Sequence, residues 1–193
     1  MHYADCLRKN LLSSIDAKHA FLERGEQLER FAAAVDAVVR CYRAGGRLYI
    51  AGNGGSAADA QHLAAEFVSK LAHDRAPLPA EALTVDSSIL TAIGNDYGFE
   101  QVFARQIAGK ATTKDVFLGI TTSGMAVNIV KALEQCRAQG VTSIIFSGRD
   151  GGRAAALADH CIVAAGAATS VIQEMHIVFA HSLCECVENE IFH

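Results

Sequence analysis

Five short apolar runs, at residues 47–51, 81–85, 115–120, 142–146 and 161–164, are set among stretches whose apolar residues recur every three or four positions. Runs of this length, bounded by glycine or polar residues, read as strands buried on both faces, and the periodicity between them reads as helices. Helices are expected over 56–71, 87–93, 100–108, 127–138 and 170–191. The alternation predicts an α/β fold, with a five-stranded, mostly parallel sheet covered on both faces. In open sheets of this kind ligands lie beyond the carboxyl ends of the strands, so the loops at those ends are where chemistry is expected.

Two helices precede any strand. Leu7, Leu11 and Ile15, then Phe31, Val35, Val38 and Tyr42, recur at helical spacing, and Gly45 and Gly46 close the second helix. Having no sheet of their own to cover, they are expected to turn part of their apolar surface to another subunit. We read residues 1–45 as a helical hairpin and 46–193 as the core of a single domain, since the only two prolines, Pro77 and Pro79, mark no linker. Half of the chain is apolar, enough for one core. The net charge of −4, with acids and bases interspersed, argues against a nucleic-acid partner. No apolar run approaches the ~20 residues of a membrane span, and residues 1–10 lack a signal-peptide pattern, so a cytoplasmic protein without a membrane partner is expected. Six cysteines form no CxxC pair and read as reduced thiols packed as small hydrophobes.

Two of the strand-end loops suit an anion. Gly52-Asn53-Gly54-Gly55-Ser56 runs straight into a helix, where glycines allow close backbone approach and Ser56 is placed to cap the helix and donate its hydroxyl. Thr121-Thr122-Ser123-Gly124 again precedes a helix. Each alone is equally an N-capped turn; two on one sheet favour a phosphorylated ligand. Neither is a nucleotide-binding motif.

His62 and Glu66, four apart on the helix after the first loop, project from one face and have metal-ligand spacing. Their Ala- and Leu-rich surroundings suggest a buried helix, in which an ionisable pair needs a partner. Gln173, His176 and His181 follow on the last helix. Gln173 and His181 differ by ~12 Å in rise, so they reach one metal only if their side chains converge on a point between them. Asn95-Asp96 is expected just after a helix, near the ligand end, where Asp96 is either a turn residue or a sugar-hydroxyl ligand.

The segments GNGGSAADAQHLAAEF (52–67), LTAIGNDYGFEQVFARQ (90–106), TSG (122–124), GRDGG (148–152) and IQEMHIVFAH (172–181) closely resemble phosphoheptose isomerases of the SIS (sugar isomerase) superfamily, over nearly the whole chain. The resemblance implies a flavodoxin-like three-layer αβα sandwich and a ketose–aldose isomerase converting sedoheptulose 7-phosphate to D-glycero-D-manno-heptose 7-phosphate. It further implies a homotetramer with sites between subunits, and a zinc ion held by His62, Glu66, Gln173 and His181. Glu66 would be general base and His181 general acid. Asn53, Gly54, Ser56, Thr121, Thr122, Ser123 and Gln173 would bind the phosphorylated substrate, with Asp96 near the sugar chain. Two departures stand out. Met125 and Ala126 replace the family's usual polar pair after TSG, and Ser69-Lys70 replaces its usual Gly-Arg. These leave two alternatives: a non-catalytic relative that binds a replication initiator, or an isomerase or sensor for another sugar phosphate.

Overall fold

The structure, a computed structural model, describes residues 2–193. Two helices open it, α1 (Tyr3–Leu22) and α2 (Gly25–Arg43). The strands are β1 (Leu48–Gly52), β2 (Ala80–Ala82), β3 (Val116–Ile120), β4 (Thr142–Ser147) and β5 (His160–Val163). Between and after them come α3 (Gly55–Val68), α4 (Ser87–Tyr97), α5 (Ala104–Lys110), α6 (Val127–Gln139), α7 (Gly152–Ala155) and α8 (Thr169–Phe192).

All five strands are parallel, in the order β2-β1-β3-β4-β5. Side chains alternate across each strand, and both faces are covered. Leu48, Ile50, Leu118 and Phe146 enter one core with α2, α3 and α8; Tyr49, Phe117 and Ile145 enter a second with α5 and α6. This is why the strand sequences are nearly continuous in apolar residues. Strand order reverses between β1 and β3, so their outgoing helices, α3 and α6, lie on opposite faces and leave a crevice between the two loops.

Besides end shifts of one to three residues, such as α3 stopping at Val68 rather than 71, four features differ from the sequence expectation. The second strand stops at Ala82, not 85, because this edge strand pairs only with β1, and the chain must turn for Asp86 to cap α4 through the Ile89 N–H at 2.9 Å. Helix α4 runs on to Tyr97, so Asp96 sits inside its last turn rather than after it. The helix expected over 100–108 is split into a 3₁₀ turn, Phe99–Gln101, and α5. Helix α7, a single turn in the glycine-rich 148–152 region, was not expected.

Helix α1 lies on α8 with Ser14, Ala17 and Phe21 buried, the Phe21 and Phe179 rings 4.8 Å apart. Lys18 donates to Ser14 and Ser14 to Glu174, tying the two helices. The opposite side of α1 presents Leu7, Leu11, Leu12 and Ile15 to solvent. No helix among the described residues is long and apolar enough to cross a membrane. All six cysteines are free thiols, four of them buried; burial raises Cys41, Cys136 and Cys184 to about 12 and Cys161 to about 11, so these are inert packing groups.

Candidate active site

The crevice at the strand reversal is walled by the two glycine-containing loops. Gly54 has φ +56°, a conformation open to glycine, and starts α3 with no side-chain cap. Ser56 is therefore the second residue of α3, not its N-cap, and its side chain is buried. Across the crevice, Thr121 is buried while Thr122 and Ser123 are half-buried, and Ser123 Oγ accepts the Met125 N–H at 3.2 Å. Helix α6 also begins without a side-chain cap. Two uncapped helix starts aimed at one crevice offer free N–H groups and favourable dipoles to an anion.

An amide pair holds these loops in register. Asn53 Nδ2 donates to Asn128 Oδ1 at 2.9 Å, and Asn128 Nδ2 returns the bond to Asn53 Oδ1 at 2.8 Å. With Gly54, Phe99, Glu100, Ala126 and Val127 they line a cleft of about 710 Å3. Sequence reasoning missed Asn128. The signal was a buried amide in the first turn of α6, among apolar residues directly after the hydroxyl-rich loop. The TTSG loop also rests on the 148–152 segment. Gly124 has φ +66°, and a Cβ there would lie 1.9 Å from the Gly151 carbonyl oxygen, so any other residue would push the two loops apart. Met125 folds over this junction, its Sδ accepting the Arg153 N–H at 3.4 Å.

The second constellation lies two turns along α3. His62 Nε2 and His181 Nε2 are 2.9 Å apart, and Glu66 Oε1 is 3.5 Å from His62 Nε2. One ligand atom from each of the three lies within 4.8 Å of the others. Helices α3 and α8 run side by side in the same sense, Gly55 facing Gln173 and His62 facing His181. The helix is not buried all round, contrary to the sequence expectation. Ser56, Ala60, Leu63 and Phe67 face the core, whereas His62 is exposed and Glu66 partly buried on the outer face of the single chain.

Gln173 stands at the start of α3. A Cβ on Gly55 would meet its Nε2 at 2.3 Å, so glycine makes room for it there. It lies eight residues, ~12 Å of helix, before His181, and within one chain it faces Gly55 at the loop end of α3 rather than the His–Glu trio. It lines a second cleft of about 660 Å3 with Lys18, Asp59, Ser170 and Glu174. Asp59 was not anticipated; burial raises its pKa, opposed by nearby His62, and its Oδ2 has no partner among the described residues. Asp96 is exposed and accepts from Asn95 Nδ2 at 2.7 Å. His176 is a core residue. It donates from Nε2 to the Ser147 carbonyl at 3.0 Å, and burial lowers its pKa to about 4.

The SIS domain profile matches residues 15–148. A phosphoheptose isomerase of Aneurinibacillus thermoaerophilus is 46% identical over 97% of this chain and 95% of its own length. The chain belongs to the phosphoheptose isomerase family. Solved phosphoheptose isomerases of Neisseria gonorrhoeae and Francisella tularensis superpose with TM-scores of 0.90, at 36% and 33% identity. The alignments cover 97% and 98% of this chain and 100% of each structure. The phosphoheptose isomerase fold thus extends over the N-terminal helices as well as the sheet.

Proposed function

We propose that the chain converts sedoheptulose 7-phosphate to D-glycero-D-manno-heptose 7-phosphate in the cytoplasm, as a homotetramer with sites between subunits. The observation that carries this is the convergence of His62, His181 and Glu66 beside a two-loop anion crevice. Two facing imidazole nitrogens and a carboxylate oxygen are a donor set that suits zinc. His62, Glu66 and His181 would hold the ion, with Gln173 as a fourth ligand supplied by a neighbouring subunit or by rearrangement of its side chain. Bound zinc would polarise the substrate's carbonyl and hydroxyl oxygens.

The remaining work belongs to the chain's own groups. The hydroxyls of Ser56, Thr121, Thr122 and Ser123, with the uncapped N–H groups of α3 and α6, hold the phosphate. Asn53 and Gly54 border it, and Asp96 takes sugar hydroxyls. Ser56 and His62 are six residues apart, ~9 Å along α3, so the phosphate anchors one end of an extended sugar while its carbonyl end reaches the His–Glu trio. The Glu66 carboxylate takes a proton from C1 of the ketose and returns it at C2. His181 acts as general acid at O2 while its Nε2 is not held by the ion, and it takes up the O1 proton as the aldehyde closes, so the proton it gives is restored. The unpaired thiols suit a reducing compartment, and the exposed apolar side of α1 suits burial by another copy.

The test is product formation from sedoheptulose 7-phosphate, followed by NMR, with zinc-loaded and chelator-treated protein in parallel. Zinc-dependent aldoheptose 7-phosphate is expected. Folded protein giving no product in either sample would overturn the proposal. The Met125-Ala126 departure favours one second reading, a different sugar phosphate in the same crevice, and a panel of five- to seven-carbon ketose phosphates distinguishes the two.

A further inference from the structure

Helix α3 carries half of the proposed metal cluster, yet no glycine follows it to form a left-handed cap; its C-cap is Ser69. The carbonyls of its last turn are satisfied instead by Arg75, seven residues beyond the end. Arg75 Nη2 donates to the Glu66 carbonyl at 2.9 Å, and Nη1 to those of Phe67 at 2.6 Å and Ser69 at 3.4 Å. The same guanidinium pairs with Glu188 of α8, Nε and Nη2 each 2.7 Å from Oε1. Glu188 Oε1 also accepts the Leu71 N–H at 3.2 Å. Both side chains are almost fully buried, at 3% and 1% exposure.

The geometry places this ion pair in the framework of the cluster. Glu66 is bonded to Arg75 through its own carbonyl. Glu188 lies seven residues beyond His181, two turns along the same face of α8. One buried guanidinium therefore joins the last turn of the helix bearing His62 and Glu66 to the helix bearing His181. A buried pair of this kind contributes little net stability relative to apolar packing, so its value lies in fixing geometry. Burial would raise the Glu188 pKa, but the bonds from Leu71 and Arg75 more than reverse this and hold it below the usual carboxylate value, so the pair is charged near neutrality.

We propose that Arg75 and Glu188 are positioning residues that set the spacing of α3 and α8 at the zinc cluster. The inference rests on the function proposed above. Its test is zinc affinity, measured by competition with a chromophoric chelator, on full-length wild type, Arg75→Lys, Glu188→Gln and the double variant Arg75→Met/Glu188→Leu. The double variant replaces the pair with apolar groups, a change that often leaves stability intact, and so separates positioning from folding. The folded variants should bind zinc roughly 10–100-fold more weakly. At saturating zinc, kcat should fall while KM changes little, because the phosphate loops lie at the other end of α3. On wild type, zinc should slow hydrogen exchange of the Leu71 amide, which the staple holds, and this reading needs no variant. Folded variants that keep wild-type affinity, or a Leu71 amide indifferent to zinc, would overturn the inference while leaving the proposed function standing. Wild type that takes up no zinc would overturn the function and the inference together.

Discussion

Single side chains differ sharply in what they are asked to do. Glu66 lies mostly buried, its side chain 17% exposed, against His62, and Glu66→Gln keeps its shape while removing its basicity. Turnover should drop below detection with the oligomer unchanged by light scattering; ordinary turnover would remove Glu66 as base. Ala126 stands where the family resemblance implies a hydroxyl. Ala126→Ser should lower KM for the sugar phosphate several-fold, and an unchanged KM would mean the crevice is satisfied another way. His176 makes a different prediction. Its folded pKa, about 4, lies below the unfolded value of 6.5. The unfolded chain therefore takes up a proton that the folded chain refuses, and stability present above pH 6.5 is lost between about 6.5 and 4, by roughly 3 kcal/mol at the acid end. Urea unfolding at pH 7 and pH 5 measures this, and His176→Gln, which keeps a donor to Ser147, should flatten the difference. Residue type and spacing suggested only the His62–Glu66 pair; the roles of Glu66 and His181 came from the family resemblance. The meeting of His181 with that pair likewise came from the resemblance and from no local pattern, because it depends on how two helices lie side by side. Asn128 escaped for a related reason: a lone amide has no periodicity, and only its partner across the crevice gives it meaning.

Elements were legible where tertiary packing agreed with local pattern. Strands β1, β3 and β4 are continuous apolar runs because neighbours pair with them on both sides. Strand β2 was overestimated because its apolar tail, Leu83 to Val85, is consumed by the turn into α4. Helix α7 was invisible, since four residues give no repeat to read. The burial expected for α3 was half right, an alanine-rich helix being unable to announce which of its sides is left open. Between elements, the Asn53–Asn128 pair is the tie that spaces the two loops. Asn128→Ala leaves Asn53 with an unmade pair of bonds, at a cost of about 1–3 kcal/mol. The expected reading is a KM for phosphate esters raised about tenfold or more with little change in kcat. Equal losses in kcat and kcat/KM would place the tie in the chemical step instead.

At the scale of the molecule, the sheet and its two cores account for everything except the outer side of α1. Its inner side is anchored on α8 by Phe21 and the Lys18–Ser14–Glu174 chain, while Leu7, Leu11 and Ile15 are left outside. This was foreseen from helices that precede any strand, and it has a direct test. Leu11→Glu with Ile15→Lys should leave helicity unchanged while light scattering reports a smaller species. If the site is shared between copies, activity should fall with assembly; a fully active small species would place the complete site within one chain.

His62 and His181 stand 119 positions apart, and α8 is the last element of the chain. Translation delivers the strands, both anion loops and half of the cluster long before the other half leaves the ribosome. A chain that stops short of α8 lacks His181 and also Ile172, Met175, Phe179 and Leu183 of the core on which α3 packs, so the crevice and the chemistry are completed by the same last element.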